Sequence, residues 1–226
     1  MTDPREPGGG LHEPGSGPQE PGSGPISGPR RRTSVIRSAA TGEALRETRA
    51  AIFIDRDGTL IKDIGYVGRP DDVELMPGAA LALRIAHNRQ MPVVVVTNQS
   101  GIARGKLTER DYEAVHQRMS SLLAEFGAFV DAEYHCPHHP DFTGHCECRK
   151  PGVALFERAA RDHGIDPATS VFIGDRWRDI EPALHYGGRG ILVPSPSTPA
   201  DEMARARAEL TVIPSLIAAM EAAVGQ

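Results

Sequence analysis

The sequence predicts an α/β fold in which a parallel, doubly wound sheet is covered by helices on both faces. Short apolar runs, typical of buried strands, alternate with longer segments of helical periodicity. One of these runs, residues 92–96, is a proline followed by four valines. Uninterrupted β-branched runs are typical of parallel strands that are covered on both faces.

Each predicted element depends on a local pattern of apolar residues and breakers. The strands are short apolar runs: Ile52 to Ile54, Pro92 to Val96, Phe129 to Tyr134, Val171 to Ile173, and Gly190 to Val193. The helices carry apolar residues at helical spacing: after Pro77-Gly78 with Leu81, Leu83, Ile85 and Ala86; from Thr108 through Val115, Met119 and Leu122 to about Phe126; from Pro151 through Leu155 and Phe156 to near Gly164; and after Pro199 and Pro214. Thr108 is predicted to cap its helix, because threonine followed by acidic residues suits a helix N-terminus.

The first part of the chain differs from the rest in composition. Half of residues 1–30 are glycine or proline, and the block Glu-Pro-Gly-Ser-Gly-Pro occurs at 13–18 and again at 20–25. Such a segment cannot bury enough apolar surface to offset its chain entropy. We therefore predict a disordered Pro/Gly-rich tail over residues 1–45 and one folded domain over residues 46–226.

Composition and charge argue against several classes of protein. A net charge of -5 gives the whole chain no electrostatic footprint for nucleic acid. No apolar stretch is long enough to span a membrane, and none precedes a cleavage-like site near the N-terminus. We expect a cytoplasmic monomer whose partner is a small phosphorylated metabolite, with no nucleic-acid or membrane partner.

Polar residues follow the predicted strands at their C-terminal ends. Asp55 and Asp57 come after the first strand, Thr97 and Asn98 after the second, and Asp175 after the fourth. The carboxyl ends of parallel strands share one edge of a sheet, so these residues should converge. Two acids so placed beside a metal ion can do different jobs, one as an acid and one as a base. The alternative is an ordinary Asp-rich turn after a strand.

The order of the motifs resembles the haloacid dehalogenase (HAD) superfamily of phosphatases. Its four motifs match here as DRDGTL, VVVTN, RKP and GDRWRD, and the match covers essentially residues 51–195. The resemblance implies a Rossmann-like sheet with a minimal cap. It also implies a Mg²⁺-dependent phosphatase that works through an aspartyl-phosphate intermediate.

The resemblance gives each motif residue a role. Asp55 would attack phosphorus and hold the phosphoryl group as an acyl phosphate. Asp57 would protonate the leaving oxygen and then activate water. Thr97 and Lys150 would stabilise the transferring group, and Mg²⁺ would be held by Asp55, Asp175 and the backbone carbonyl of Asp57.

Two further motif residues have less specific interpretations. Gly58 allows a tight backbone turn beneath the phosphate. Asp179, the last residue of GDRWRD, either supports the metal from behind its ligands or is a solvated acid on a helix; both interpretations stay open.

The loop over residues 136–148 carries a second candidate metal site, and it contains all three cysteines of the chain. Its donors are three thiolates and one imidazole: Cys136, His138, Cys146 and Cys148. This is the donor set of a closed, structural zinc site. The family match favours His138 over three competing histidines: His135, His139 and His145. Because Arg149 and Lys150 come next, zinc would also fix both cations. The alternative is free or disulfide-bonded cysteines, although a Cys146–Cys148 bond would be strained.

Further motifs resemble one branch of the superfamily, the D-glycero-D-manno-heptose 1,7-bisphosphate 7-phosphatases. These motifs are GYV, TNQSGIARG and the C-x-H…C-x-C-RKP arrangement. The implied reaction converts a heptose 1,7-bisphosphate to the 1-phosphate. The implied substrate contacts are Asp63, Ile64, Gly65, Tyr66, Asn98, Gln99, Ser100, Arg149 and Arg176. Arg176 stands where lysine is common in that branch.

Three alternative functions are compatible with parts of this pattern. Histidinol-phosphate phosphatases share the catalytic and zinc motifs, and polynucleotide 3′-phosphatases share the DxDGT motif. The single Trp and the acidic net charge argue against the polynucleotide substrate. A non-enzymatic alternative is a zinc-stabilised binding module on an inactive phosphatase scaffold, against which the intact Asp55, Asp57, Thr97, Lys150 and Asp175 argue.

Overall fold

The part of the chain that the structure describes, residues 48–225, forms a six-stranded parallel sheet covered by helices. The structure is a computed structural model, and the tail predicted over residues 1–45 lies outside the described residues. The strands are β1 (Ile52–Ile54), β2 (Val93–Asn98), β3 (Ala132–Cys136), β4 (Val171–Gly174), β5 (Arg189–Leu192) and β6 (Thr211–Val212). Their order is β3-β2-β1-β4-β5-β6, and all neighbouring strands are parallel. The predicted doubly wound α/β class is confirmed.

Helices connect the strands and cover both faces of the sheet. They are α1 (Ala79–Asn88), α2 (Ser100–Ala103), α3 (Glu109–Ala124), α4 (Pro140–Thr143), α5 (Ala154–His163), α6 (Trp177–Ile180), α7 (Pro182–Tyr186), α8 (Ala200–Glu209) and α9 (Leu216–Val224). The side chains of Thr108 and Asp111 each accept a hydrogen bond from the other's backbone N–H, which caps α3 as predicted. No helix within residues 48–225 is both long enough and apolar enough to cross a membrane.

Alternate residues of the central strands face opposite sides of the sheet. Ile52 and Ile54 of β1 belong to the apolar cluster formed with α1, α3 and α9. Phe53 faces the other way, and its ring centroid lies 5.3 Å from that of Phe156 on α5 and 5.0 Å from that of Phe172 on β4. Both faces of β1 are therefore buried, which explains its uninterrupted apolar sequence.

Several details differ from the sequence prediction, among them the short helices α2, α4, α6 and α7, which were not predicted. β3 begins at Ala132 and not at Phe129, whose ring instead stacks on His87 with centroids 4.0 Å apart. Leu81, predicted to carry the apolar face of α1, is exposed, whereas Leu83 is fully buried. The two-residue edge strand β6 was not predicted, because so short a segment gives no period-two pattern.

The connection between β1 and α1 corresponds to the predicted minimal cap. It spans residues 55–78 and contains a 3-10 turn at Pro70–Asp72 and isolated bridges at Ile61. So short an insertion leaves the carboxyl end of β1 beside an open cleft.

Candidate active site

The carboxyl ends of three neighbouring strands form the candidate active site. β1 lies between β2 and β4, so Asp55, Thr97 and Asp175 are brought to one edge of the sheet. Ligands of open α/β sheets bind at such a place, where the strand order reverses. The cleft here has a volume of about 300 Å³. Its lining comprises Asp55, Asp57, Asp63, Gly65, Tyr66, Val67, Thr97, Asn98, Gln99, Ser100, Gly101, Arg149 and Arg178.

Asp57 is oriented by a buried arginine and two polar side chains. Arg56 donates from Nε and Nη2 to the two carboxylate oxygens at 3.2 and 3.1 Å. Gln99 Nε2 and Thr97 Oγ1 donate to Oδ2 at 2.7 and 3.3 Å. Four hydrogen bonds therefore fix the carboxylate that is predicted to act as acid and base. Sequence reasoning missed Arg56, although its place between the two aspartates was a signal.

A second layer of charge lies behind Arg56, away from the cleft. Its Cζ lies 5.1 Å from the centroid of the Tyr112 ring, and the Tyr112 hydroxyl donates to Glu133, which also pairs with His116. Burial alone would lower the pKa of Arg56, but Asp57 and Glu133 raise it above its ordinary value. Arg56 is therefore a permanent buried cation between two carboxylates.

Lys150 is buried beside Asp55. Its Nζ lies 2.7 Å from Asp55 Oδ1 and 2.8 Å from Asp179 Oδ1, and it also donates to the carbonyl of Val96. Asn98 holds the Lys150 backbone from both sides: Oδ1 accepts from its N–H at 3.0 Å and Nδ2 donates to its carbonyl at 3.1 Å. Asn98, predicted as a substrate contact, thus also positions Lys150.

Three buried carboxylates converge beside the cleft. Oxygen atoms of Asp55, Asp175 and Asp179 lie within 4.8 Å of one another. Burial, reinforced by the charges of Asp55 and Asp179, raises the pKa of Asp175 to about 7. Asp179 is 3% exposed, so of its two predicted interpretations the solvated helix acid does not hold.

This cluster fits a hard divalent cation. When all three carboxylates are ionised, they carry two negative charges more than the ammonium of Lys150 balances. Asp175 Oδ1 is buried and has no hydrogen-bond partner among residues 48–225. A dication with oxygen ligands would balance the charge and satisfy the oxygen.

A loop that sequence reasoning missed supports Asp175. Ser195 Oγ and Ser197 Oγ donate to Asp175 Oδ2 at 2.6 and 3.2 Å, and Thr198 Oγ1 donates to the Asp175 carbonyl at 2.6 Å. The loop follows β5 at the same edge of the sheet as the other strand ends. The rule that found Asp55 and Asp175 therefore also points to Ser195.

Gly58 lies against Asp175. It has a positive φ of 86°, and a Cβ added to it would lie 2.5 Å from Asp175 Oδ2. Both the backbone conformation and the close approach require glycine. The space that Gly58 leaves is thus occupied by the carboxylate of a predicted metal ligand.

The four predicted zinc donors are brought together in the loop after β3. Cys136 Sγ lies 3.7 Å from Cys146 Sγ and 3.1 Å from Cys148 Sγ, and His138 Nδ1 lies 3.7 and 3.2 Å from Cys136 Sγ and Cys148 Sγ. In a tetrahedral site with Zn–S bonds of about 2.3 Å, sulfurs are about 3.8 Å apart, so the arrangement fits zinc. The three cysteines form no disulfide bond.

The three competing histidines have other contacts. His135 Nε2 lies 2.9 Å from Glu109 Oε2, His139 Nε2 lies 2.6 Å from Arg104 Nη2, and His145 is largely exposed. This geometry agrees with His138 as the fourth donor. Arg149 Nη1 donates to the carbonyl of His138 at 3.3 Å, so the loop also anchors a cation of the cleft.

Seven of the nine predicted substrate contacts line the cleft: Asp63, Gly65, Tyr66, Asn98, Gln99, Ser100 and Arg149. Asp63 Oδ1 accepts from the backbone N–H of Gly65 at 2.7 Å, which shapes the loop carrying Tyr66. The other two lie elsewhere: Ile64 is exposed outside the lining, and the Arg176 guanidinium pairs with Glu202. Arg178, which sequence reasoning missed, lines the cleft instead.

Comparisons with known proteins agree with this site. The family model of polynucleotide kinase 3 phosphatases matches residues 50–182, and a HAD-hydrolase-like model matches residues 147–219. The D-glycero-beta-D-manno-heptose-1,7-bisphosphate 7-phosphatase of Escherichia coli (strain K12) is 42% identical over 163 residues, covering 68% of this chain and 85% of that protein. Its counterpart in Haemophilus ducreyi is 42% identical over 135 residues, covering 58% and 74%.

A solved structure shows the same likeness. The D,D-heptose 1,7-bisphosphate phosphatase from B. bronchiseptica, in complex with magnesium and phosphate, has a TM-score of 0.70 and 33% sequence identity. The match covers 77% of this chain and 97% of that one. Together with the convergence of the four motifs at one sheet edge, these findings confirm the resemblance, and the chain belongs to the haloacid dehalogenase superfamily of phosphatases.

Proposed function

We propose that this phosphatase hydrolyses the 7-phosphate of D-glycero-D-manno-heptose 1,7-bisphosphate with Mg²⁺, through an aspartyl phosphate on Asp55. The observation that carries the proposal is that Asp55 and Asp57 line one cleft while Asp175 and Lys150 lie directly beside Asp55. The substrate follows from the relatives, which are named for this bisphosphate at 42% identity.

In the first step, a carboxylate oxygen of Asp55 forms a bond to phosphorus as the bond from phosphorus to the sugar oxygen breaks. Asp57 gives its proton to that leaving oxygen. In the second step, Asp57 takes a proton from water, the water oxygen attacks phosphorus, and the bond to Asp55 breaks to release phosphate. The four hydrogen bonds to Asp57 support this double role because they keep its carboxylate at one place.

Positive charge has to offset the repulsion between Asp55 and the phosphate. Lys150 Nζ contributes a buried ammonium 2.7 Å from Asp55. Bound Mg²⁺ would supply Lewis-acid stabilisation of the phosphoryl oxygens, held by Asp55, Asp175 and the backbone carbonyl of Asp57. Asp179 Oδ1 also pairs with Lys150 Nζ, at 2.8 Å, and Thr97 lines the same cleft with its hydroxyl group.

The remaining assignments are proposals of the same kind. Zinc on Cys136, His138, Cys146 and Cys148 has a structural role, since four protein ligands leave no open position. The enzyme is a cytoplasmic monomer with a sugar bisphosphate, and not a nucleic acid, as its partner. Residues 46–226 form the phosphatase domain, and residues 1–45 form a tail.

Phosphate release from a substrate panel tests the function. The panel contains both anomers of heptose 1,7-bisphosphate, histidinol phosphate and a DNA 3′-phosphate, each with and without Mg²⁺. We expect Mg²⁺-dependent turnover of a heptose anomer and none by Asp55→Asn with an unchanged circular dichroism spectrum. Turnover of the DNA 3′-phosphate alone would support the polynucleotide function, which the family match over residues 50–182 favours as the second candidate. Unchanged turnover by Asp55→Asn would contradict the mechanism.

A further inference from the structure

The guanidinium of Arg176 forms an ion pair away from the cleft. It precedes α6, and its Nε and Nη2 donate to the two carboxylate oxygens of Glu202 on α8 at 3.0 and 2.6 Å. Glu202 also accepts from the backbone N–H of Trp177 at 2.6 Å. Such a forked ion pair fixes the guanidinium plane, so Arg176 links α6 to α8.

Arg178, two residues further along, lines the cleft with Arg149. Its side chain is 37% exposed, and its nearest ion-pair contact is Asp179 Oδ1, at 3.8 Å from Nε. That distance is too long for a hydrogen bond, and the buried Nε has no partner among residues 48–225. Arg178 therefore has a hydrogen-bond donor available at the cleft, whereas Arg176 donates to Glu202.

Arg149 lines the same cleft as Arg178. Among residues 48–225, the one hydrogen bond that the Arg149 guanidinium donates runs from Nη1 to the carbonyl of His138. Two guanidinium groups that repel each other across an open cleft create a site for an anion, which would relieve the repulsion and take forked hydrogen bonds.

We propose that Arg178, and not Arg176, is the arginine of the GDRWRD motif that binds the second phosphate of a bisphosphorylated substrate, beside the expected contact Arg149. This inference rests on the proposed function, because the transferred phosphate is assigned to Asp55, Thr97 and Lys150. The two arginines line the cleft apart from that buried lysine. The two arginines therefore favour a bisphosphate over a monophosphate, because a monophosphate has no second phosphate for them to bind.

The test compares steady-state kinetics on heptose 1,7-bisphosphate and on heptose 7-phosphate. For Arg178→Gln, loss of a charge-assisted contact should raise KM for the bisphosphate by roughly 10- to 100-fold, with kcat within about 2-fold. KM for the monophosphate should stay within about 2-fold of wild type, since Arg178 makes no contact with that substrate. Arg178→Lys should recover part of the bisphosphate preference. Arg158→Gln, on the exposed side of α5, is the matched control.

Two results would overturn the inference while leaving the proposed function intact. One is an equal rise of KM for both substrates in Arg178→Gln, which would indicate a merely structural role. The other is a bisphosphate-specific rise in Arg176→Gln and not in Arg178→Gln. By contrast, a wild-type enzyme that does not turn over the bisphosphate would refute the proposed function, and the inference with it.

Discussion

Replacing Arg56 tests whether the second residue of DRDGTL holds the acid/base in place. Arg56 is fully buried, and Asp57 is 22% exposed on its side chain. Removing one partner of a buried ion pair costs about 3–5 kcal/mol of unfolding free energy. The partial exposure of Asp57 lowers that figure, so we expect Arg56→Met to lose about 2–4 kcal/mol. Turnover should fall by about 10²-fold, because the Asp57 carboxylate loses two of its four hydrogen bonds.

A double-mutant cycle with Asp57→Asn separates this contact from general damage to the core. Urea unfolding of the wild type, both single variants and the double variant should give a coupling free energy of about 1.5–3 kcal/mol between positions 56 and 57. Arg158→Met, which removes an exposed pair with Asp162, serves as the control and should change stability by under about 0.5 kcal/mol. A coupling near zero would refute the assignment of Arg56 as a positioning residue.

Three other perturbations test separate parts of the site. Gly58→Ala should raise the Mg²⁺ concentration for half-maximal turnover by about 10-fold or more, because the added Cβ displaces Asp175 and the positive φ is unfavourable for alanine. A Mg²⁺ titration of turnover measures this, and an unchanged half-saturation would contradict it. Chelation of zinc should lower both turnover and the midpoint of thermal unfolding together, and restoration of zinc should recover both; loss of neither would contradict a structural site. His116 has a pKa raised by its hydrogen bond to Glu133, so its stabilising contribution is fully present below its unfolded pKa of about 6.5 and is lost as pH rises through the folded value. Urea unfolding of wild type and His116→Gln should therefore differ most at low pH, and a difference that grows with pH would contradict this.

The fold follows from the sequence because its signals are local. β1 and β4 are apolar throughout and β2 begins with four valines, as parallel strands covered on both faces require. Thr108 is followed by the acidic residues that favour a helix N-terminus, and it caps α3. The sequence predicts a third strand that begins at Phe129, but β3 begins at Ala132. The Phe129 ring stacks on His87 instead, and a contact across more than forty residues leaves no trace in the local pattern.

The site was predictable where backbone topology alone positions a residue. The strand-end rule brought Asp55, Thr97 and Asp175 together, because the sheet order fixes where strands end. It also applied to Ser195 after β5. That residue went unassigned because a serine has no specific signal of its own, unlike paired aspartates.

Arg176 and Arg178 show where prediction from motifs ends. Both are long cations on the same short helical turn, and the motif alone gives either of them access to the phosphate side. Their orientation is decided by Glu202, which lies 26 positions from Arg176 and accepts two hydrogen bonds from it. Exchanging this partner should therefore redistribute the roles: Glu202→Gln weakens the hold on Arg176 without touching the cleft. If Arg176 then reaches the substrate, the KM for the bisphosphate in Arg178→Gln should be partly restored by adding Glu202→Gln. No restoration would mean that the backbone of α6, and not Glu202, directs Arg176 away from the cleft.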